Sequence, residues 1–168
     1  FYVYDGKLNV FPHFSNTIFS ITPDSTTQRY HFYFGDYHFP DDEIFQKKEY
    51  NSQAIMSEIM NNSYVRLMAP YETDEHLLVK YYVKRQVLLG IYNKKKHTAI
   101  NLDPEMVIDS LHLGTFPVPI GFNHNEFIGQ LTLDIQQKNR IMIPELQKLM
   151  ADYSEDSNPI LIFYSLRS

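Results

Sequence analysis

The chain of 168 residues is long enough for a hydrophobic core, and its 43% hydrophobic and 21% charged residues are typical of a globular protein rather than a disordered one. Its net charge of −5 disfavours nucleic acid as the main partner, because phosphate binding needs a basic surface. Cysteine is absent, which excludes disulfides and thiolate chemistry, and no apolar run approaches the roughly 20 residues needed to cross a bilayer.

The N-terminal residues predict a compact antiparallel sheet of four short strands. Phe1 to Tyr4 and Lys7 to Phe11 flank an Asp5-Gly6 pair, which supplies the positive φ angles of a tight primed turn. Asn16 to Ile21 is the predicted third strand and Arg29 to Phe34 the fourth. The strand pattern begins at the first residue, which is not Met, so we expect the chain to be part of a longer or processed protein.

Residues 41–61 interrupt the strand pattern, and their second half predicts a helix. Ser52 is the predicted N-cap of this helix. The apolar residues of its predicted buried face are Ile55, Met56, Ile59 and Met60. A second helical insertion is predicted at about 143–153, because Pro144 fits a first helical turn and the apolar residues after it share one face.

Between Tyr64 and Leu102 the sequence predicts four strands joined by short turns. His76 to Lys84 has one apolar face and one mixed face, whereas Gln86 to Asn93 is apolar on both faces. A strand with two apolar faces has to be covered on both sides, which a sheet lying between two other sheets provides.

The last third of the chain predicts a further sheet of short strands. These predicted strands are Met106 to Asp109, Leu111 to Phe116, Ile120 to Phe122, Glu126 to Leu131 and Ile160 to Leu166. The sheet units recur at intervals of roughly 45 to 60 residues, near the period of propeller blades. We therefore predict an all-β fold, with about three β-propeller blades of four antiparallel strands in one domain over residues 1–168. A β-sandwich is the competing arrangement.

Four segments of the chain resemble segments of the six-bladed β-propeller proteins of Bacteroidetes, a family of unknown function. They are "NTIFSI" (Asn16 to Ile21), "RYHFYFGDYHFP" (Arg29 to Pro40), "YETDEHLLVKYY" (Tyr71 to Tyr82) and "SNPILIFYSL" (Ser157 to Leu166). The resemblance implies the C-terminal part of a longer propeller, with earlier blades missing. It also implies an extracytoplasmic location in the cell envelope, in the periplasm or at the cell surface, with a lipoprotein anchor as one option. It supplies no catalytic residues.

Several acidic and histidine residues were considered as metal ligands. His31 and His38 flank Asp36, but a strand histidine followed by a loop histidine is the simpler interpretation. Asp41-Asp42-Glu43 fits the first turn of a helix better than a cation site. The acidic residues Asp103, Glu105 and Asp109 lack the spacing of a calcium-binding loop. We therefore predict no metal, no cofactor and no catalytic residue.

Basic and aromatic residues are the other candidates for binding. Lys94-Lys95-Lys96 lies at a predicted hairpin tip and is interpreted as a solvated turn. Most Tyr and Phe residues are expected to pack between sheets as core. The tyrosines at strand ends or in loops, which are the better candidates for exposure and for stacking on sugar rings, are Tyr33, Tyr37, Tyr71 and Tyr92.

The favoured function is a non-catalytic, extracytoplasmic binding or scaffold propeller whose ligand is a glycan, a peptide or a protein. One alternative is a glycan-processing enzyme, a lyase or hydrolase, with its site in the central channel of the propeller. Another is an assembly piece, because three blades alone would leave an apolar flank that pairs with missing blades or with a second copy.

Overall fold

The computed structural model describes residues 1–12, 15–40, 51–104, 116–131, 144–151 and 158–166. In these segments the chain forms three antiparallel sheets and few helices, which confirms the predicted all-β class. The strands are β1 (Tyr2–Tyr4), β2 (Lys7–Val10), β3 (Thr17–Ile21), β4 (Thr26–His31), β5 (Arg66–Glu72), β6 (His76–Val83), β7 (Gln86–Asn93), β8 (Thr98–Leu102), β9 (Pro119–Phe122), β10 (Phe127–Leu131) and β11 (Ile160–Tyr164). The helices are α1 (Ser52–Asn61) and α2 (Pro144–Ala151), and Gly35–Tyr37 form a 3-10 turn.

The first sheet has the strand order β1-β2-β3-β4. Its first hairpin turns at Asp5 and Gly6, with φ angles of 50° and 67°, as the Asp-Gly pair predicts. Strand β4 begins and ends earlier than the predicted Arg29 to Phe34. It begins early because Thr22 and Ser25 close a short turn, in which the Thr22 N–H donates to the Ser25 carbonyl at 2.9 Å.

Two buried asparagines organise the first sheet and the loop that follows it. Asn9 accepts a hydrogen bond of 2.6 Å from the Ser20 hydroxyl on the neighbouring strand β3. Asn16 donates to the Phe39 carbonyl at 2.8 Å and accepts from the Phe39 N–H at 3.4 Å. Because one side chain satisfies both backbone groups of Phe39, the loop is held against the start of β3 and the Phe39 ring is buried.

Helix α1 lies where the first helical insertion was predicted, but its N-cap is Asn51 and not Ser52. Asn51 has extended backbone angles, and its side-chain oxygen accepts a hydrogen bond of 2.8 Å from the Ala54 N–H. This satisfies one of the N–H groups that a helix leaves without an intrahelical partner. The side chains of the predicted apolar stripe and residues 41–50 lie outside the described part of the chain.

The second sheet has the order β5-β6-β7-β8 and matches the predicted four-stranded meander. Strand β7 begins and ends where it was predicted. Strand β6 is more buried than predicted, because Leu78 on its mixed face is as fully buried as Leu77 on its apolar face. In β7, Leu89 and Ile91 on one face are buried, and Leu88 and Tyr92 on the other face are half-buried. Val87 at the start of the strand is exposed, so both faces are covered in the middle of β7 but not at its start.

The third sheet has the order β11-β10-β9, so its described part has three strands. Phe127 of β10 forms a buried cluster with Leu78, Leu89 and Ile91, and the half-buried Tyr164 of β11 packs against it. Helix α2 lies within the range of the second predicted helix. The predicted strand Met106 to Asp109 and all of the next one except Phe116 lie outside the described residues.

The chain divides into two compact units by its internal contacts. Unit 1 comprises Phe1–Pro70 and Val79–Leu88, and unit 2 comprises Tyr71–Leu78 and Leu89–Ser168. The first sheet and α1 therefore belong to unit 1, and the third sheet belongs to unit 2.

Candidate functional site

Unit 1 contains a cavity of about 410 Å³, which we call the basic cavity. It is built from the end of α1, the start of β5, the end of β6 and the turn that joins β6 to β7. Its lining residues are Asn61, Asn62, Ser63, Tyr64, Arg66, Tyr82, Lys84 and Arg85. The lining combines amide and hydroxyl groups, two phenol rings and three cations, and none of these eight residues is aliphatic or acidic.

The turn that carries Lys84 and Arg85 has an unfavourable backbone conformation for its residues. Their φ angles are 48° and 67°, so both lie in the left-handed region. A two-residue hairpin turn of this kind favours Asn-Gly or Asp-Gly, because a side chain at positive φ costs roughly 1–2 kcal/mol per residue. The sequence predicts a short turn between the strands His76 to Lys84 and Gln86 to Asn93, but it places Lys84 in the strand rather than in the turn. The end of the apolar alternation at Val83 was the signal that could have placed both Lys84 and Arg85 in the turn.

Two of the three cations lie over aromatic rings. The Arg66 guanidinium is 4.6 Å from the centre of the Tyr82 ring. The Lys84 ammonium is 4.3 Å from the centre of the Tyr37 ring. Each such contact contributes about 0.5–1 kcal/mol at an exposed site and restricts a long side chain. The charges of Arg66 and Lys84 are therefore held beside the cavity.

The end of α1 supplies the amide side of the basic cavity. The Asn62 N–H and the Asn62 side-chain amide both donate to the Glu58 carbonyl, at 3.0 and 2.8 Å. The Asn61 side-chain amide donates to the Ser57 hydroxyl at 3.3 Å. These bonds end the helix at a defined position and fix both asparagines at the cavity.

Unit 2 contains a second cavity of about 360 Å³, which we call the acidic cavity. It is lined by Thr73, Asp74, Glu75, His76, His124, Asn125, Phe127, Ser165 and Leu166. The Asp74 N–H donates to the His124 carbonyl at 2.8 Å, which joins the β5–β6 and β9–β10 turns. The Asp74 carboxylate lies 3.8 Å from the His124 ring nitrogen Nδ1, and both side chains are exposed.

A buried polar network lies next to the acidic cavity. The His76 ring nitrogen Nε2 is 3.1 Å from the Asn93 amide, and burial lowers the pKa of His76. The charge of Lys94 lowers this pKa further, while Glu75 opposes the shift. Glu72 is fully buried and forms an ion pair of 2.7 Å with the Lys94 ammonium, which also donates to the Thr73 carbonyl at 2.6 Å.

The interpretation of Lys94-Lys95-Lys96 as a solvated turn is therefore wrong for its first residue. Lys95 and Lys96 are exposed, whereas Lys94 folds back to compensate the charge of Glu72. A buried carboxylate without such a partner would be strongly destabilising, so the role of Lys94 is structural.

Both histidines that flank Asp36, His31 and His38, form a hydrogen bond within the fold. Their rings lie 5.5 Å apart between centres. The His31 Nδ1 shares a hydrogen bond of 2.9 Å with the Thr17 hydroxyl, and the His38 Nε2 is 3.2 Å from the Asn16 amide. Among the described residues, no group of three or more His, Asp or Glu side chains is arranged to hold a metal ion. Asp41-Asp42-Glu43, Glu105 and Asp109 lie outside the described residues.

Of the four tyrosines predicted to be exposed, only Tyr33 is largely exposed, at 82%. Tyr37 is half-buried beneath Lys84. Burial raises the pKa of Tyr71, which packs against the core of unit 2. The Tyr92 hydroxyl shares a hydrogen bond of 2.9 Å with the His97 Nδ1. The rings at the basic cavity, Tyr64 and Tyr82, were not among those predicted.

Comparison with known proteins gives a fold relative and a family. No curated protein matches the chain. A crystal structure of a "Putative exported protein" from Bacteroides fragilis is similar, with 18% sequence identity and a TM-score of 0.79. The match covers 99% of this chain and 49% of the relative, so the chain spans about half the length of that protein. At this identity the likeness shows the fold alone.

No helix in the described part of the chain has the length and apolarity to cross a membrane.

The family model named Domain of unknown function (DUF4934) matches residues 1–165. Because this match spans nearly the whole sequence, the chain belongs to the DUF4934 family.

Proposed function

We propose that the chain is a non-catalytic binding domain that acts outside the cytoplasm, with the basic cavity of unit 1 as its binding site. The observation that carries this proposal is the open, polar lining of that cavity, which includes two phenol rings and a strained turn. Strained backbone is found disproportionately at functional sites, since the rest of the fold has to maintain it. The similar protein from Bacteroides fragilis is named an exported protein, which supports the extracytoplasmic location.

A glycan fits the lining better than a peptide does. Several modes of peptide recognition anchor apolar side chains in pockets, and the eight lining residues include no aliphatic one. The half-buried Tyr64 and Tyr82 contribute phenol groups to the lining, with Arg66 over one face of the Tyr82 ring, and Asn61, Asn62 and Ser63 contribute further hydrogen-bonding groups. Sugar rings present apolar faces and many hydroxyl groups, which match this combination.

The test is a screen of the purified chain against immobilised glycans, followed by titration of any hit. Ser63→Trp places a large ring in the cavity and is expected to abolish binding, while Thr98→Trp at an exposed position of β8 in unit 2 is the control. Unchanged binding by Ser63→Trp would show that the binding site lies outside the basic cavity. Blank results across the array would contradict the proposed glycan ligand.

We also propose that the three sheets are blades of a larger β-propeller of which residues 1–168 form a single propeller-like part. The strand orders of the first two sheets follow the chain without crossovers, as propeller blades do. A crystal structure of a longer family member tests it directly, by whether its sheets surround one axis.

An assembly role is the second candidate, and exposed apolar sheet surfaces favour it. In unit 1, Val3 pairs with Leu8 across β1 and β2, and both side chains are exposed. In unit 2, Leu161 and Phe163 of β11 are exposed on one face of the third sheet. Apolar surfaces of this kind are typical of sites that contact another protein or another sheet. The alternative of a glycan-processing enzyme stays a prediction from the sequence.

A further inference from the structure

We infer that the basic cavity binds an anionic saccharide, a glycan whose sugar rings carry carboxylate or sulfate groups, and that the turn Lys84-Arg85 holds the anion. This inference rests on the proposed function and names the ligand class of the same site. It joins three observations: the charge of the lining, the backbone of the turn and the chemistry of the remaining lining residues.

The charge of the lining is opposite to that of the chain. The whole sequence carries a net charge of −5, yet Arg66, Lys84 and Arg85 all line one cavity of unit 1 and none of the other five lining residues is acidic. Lys84 and Arg85 are exposed. Cations that converge beside a partly enclosed space attract an anion more strongly than isolated surface charges do.

The backbone of the Lys84-Arg85 turn can be compared with that of the Asp5-Gly6 turn in the same unit. Asp5 and Gly6 form a hairpin turn with φ angles of 50° and 67°, and Lys84 and Arg85 form one with 48° and 67°. At the first position the chain uses the residues that this geometry favours, whereas at the second it uses two long cationic residues at a cost in stability. The presence of Lys84 and Arg85 at positions that they occupy unfavourably is explained if their side chains bind a ligand.

The remaining lining separates a saccharide from a simple anion. The cavity includes the C-terminal end of α1, where the helix carbonyls carry partial negative charge. A phosphate or sulfate ion alone would be repelled there, but sugar hydroxyls can donate hydrogen bonds to carbonyl and amide oxygens. A ligand that carries both hydroxyl donors and an anionic group therefore matches both parts of the lining.

The experiment compares the wild-type chain with the double variant Lys84→Asn/Arg85→Gly by isothermal titration. The probes are a polyuronic acid, a sulfated glycosaminoglycan, a neutral glucan and polyglutamate, each at about 50 mM and about 300 mM sodium chloride. We expect the polyuronic acid, the glycosaminoglycan or both to bind, with weaker affinity at the higher salt concentration. The double variant should lose roughly tenfold to a hundredfold in affinity and melt at a higher temperature than the wild type. Lys95→Asn/Lys96→Gly, which removes the same charge in unit 2, should leave the affinity unchanged.

The outcomes separate this inference from the proposed function. Salt-independent binding of the neutral glucan with the same affinity would overturn the anionic class while leaving a glycan-binding cavity in place. Equal binding of polyglutamate would assign the site to acidic peptides and overturn the saccharide. A double variant that melts below the wild type would overturn the argument from the turn. Absence of binding to every probe would overturn both proposals.

Discussion

At the scale of single residues, the fold depends on buried polar side chains that have partners within the fold. Glu72 is fully buried and is compensated by Lys94, while Asn9 and Asn16 hold neighbouring segments through short hydrogen bonds. The sequence shows residue types but not which distant residues contact each other, so it predicts that Lys94, in a run of three lysines, is exposed to solvent. Its carboxylate partner comes from the end of another strand, and only the folded chain brings the two together.

Lys94→Met should destabilise the protein because it leaves the Glu72 carboxylate buried beside an apolar side chain. Breaking a buried ion pair from one side costs about 3 kcal/mol or more. The free energy of unfolding, measured in urea, should fall by about that amount. The control Lys95→Met removes the neighbouring exposed cation and should change the unfolding free energy by less than about 0.5 kcal/mol. An equal effect of the two substitutions would contradict the structural role of Lys94.

His76 should make stability depend on pH. Burial lowers the pKa of His76 in the folded protein below its usual 6.5, so the unfolded chain binds more protons between these two values. The free energy of unfolding should therefore fall as the pH drops through about 6.5, and the loss should level off below the lowered pKa of the folded state. Urea unfolding from about pH 7.5 to about pH 5 should show a shallower decline for His76→Gln than for the wild type. Identical pH profiles would exclude this residue as the cause.

At the scale of elements, boundaries were predicted best where alternating strands meet strong turn residues. Strand β7 was predicted with its observed bounds, and the Asp5-Gly6 turn was confirmed. Strand β4 was displaced because a local turn between Thr22 and Ser25 decided where it starts. The basic cavity was not predicted at all, since its lining comes from a helix end, two strands and a turn that only the tertiary structure brings together.

The bulge in the third sheet explains a close backbone approach. The register between β9 and β10 shifts between Ile128 and Gly129. A Cβ atom at Gly129 would lie 2.9 Å from both the Cβ and the carbonyl oxygen of Pro117. The same carbonyl accepts a hydrogen bond of 2.7 Å from the Tyr164 hydroxyl, so Pro117 has little freedom to move away.

Gly129→Ala should therefore destabilise the protein by about 1–3 kcal/mol, the usual cost of overpacking a close contact. Gly121→Ala on the neighbouring strand is the matched control, because its nearest contact would be Ile128 at an ordinary 3.8 Å. Thermal melting followed by circular dichroism should show a lowered midpoint for the first substitution and a nearly unchanged one for the second. Equal melting temperatures of the two variants would contradict a stabilising role for the close approach of Gly129 to Pro117.

At the scale of the whole molecule, each unit presents an apolar sheet surface to solvent. Val3 is 62% exposed on the first sheet, and Phe163 is 55% exposed on the third. The all-β class and the number of sheets could be predicted from strand patterns, because alternation is a local property. The sequence does not predict which surfaces the exposed apolar residues contact. The residue pattern of a strand shows which of its faces is apolar, but not which other element covers that face.

If these surfaces associate, the chain should be larger in solution than its monomer mass of 19.9 kDa. Size-exclusion chromatography with light scattering should then show the double variant Val3→Lys/Phe163→Lys at the monomer mass, because a charge is costly to bury in an apolar contact. The control Gln86→Lys/Thr98→Lys adds the same charge at exposed polar positions and should keep the larger mass. A monodisperse wild-type monomer would oppose the assembly role.

The hairpin at Lys84 and Arg85 sets two kinds of selection against each other. A library of the turn sorted for resistance to heat should enrich Asn and Gly at these positions, because they relieve the backbone. The same library sorted for capture of a negatively charged sugar should return Lys and Arg. Sequencing both sorted pools would show whether the residues at positions 84 and 85 are favoured by stability or by ligand binding.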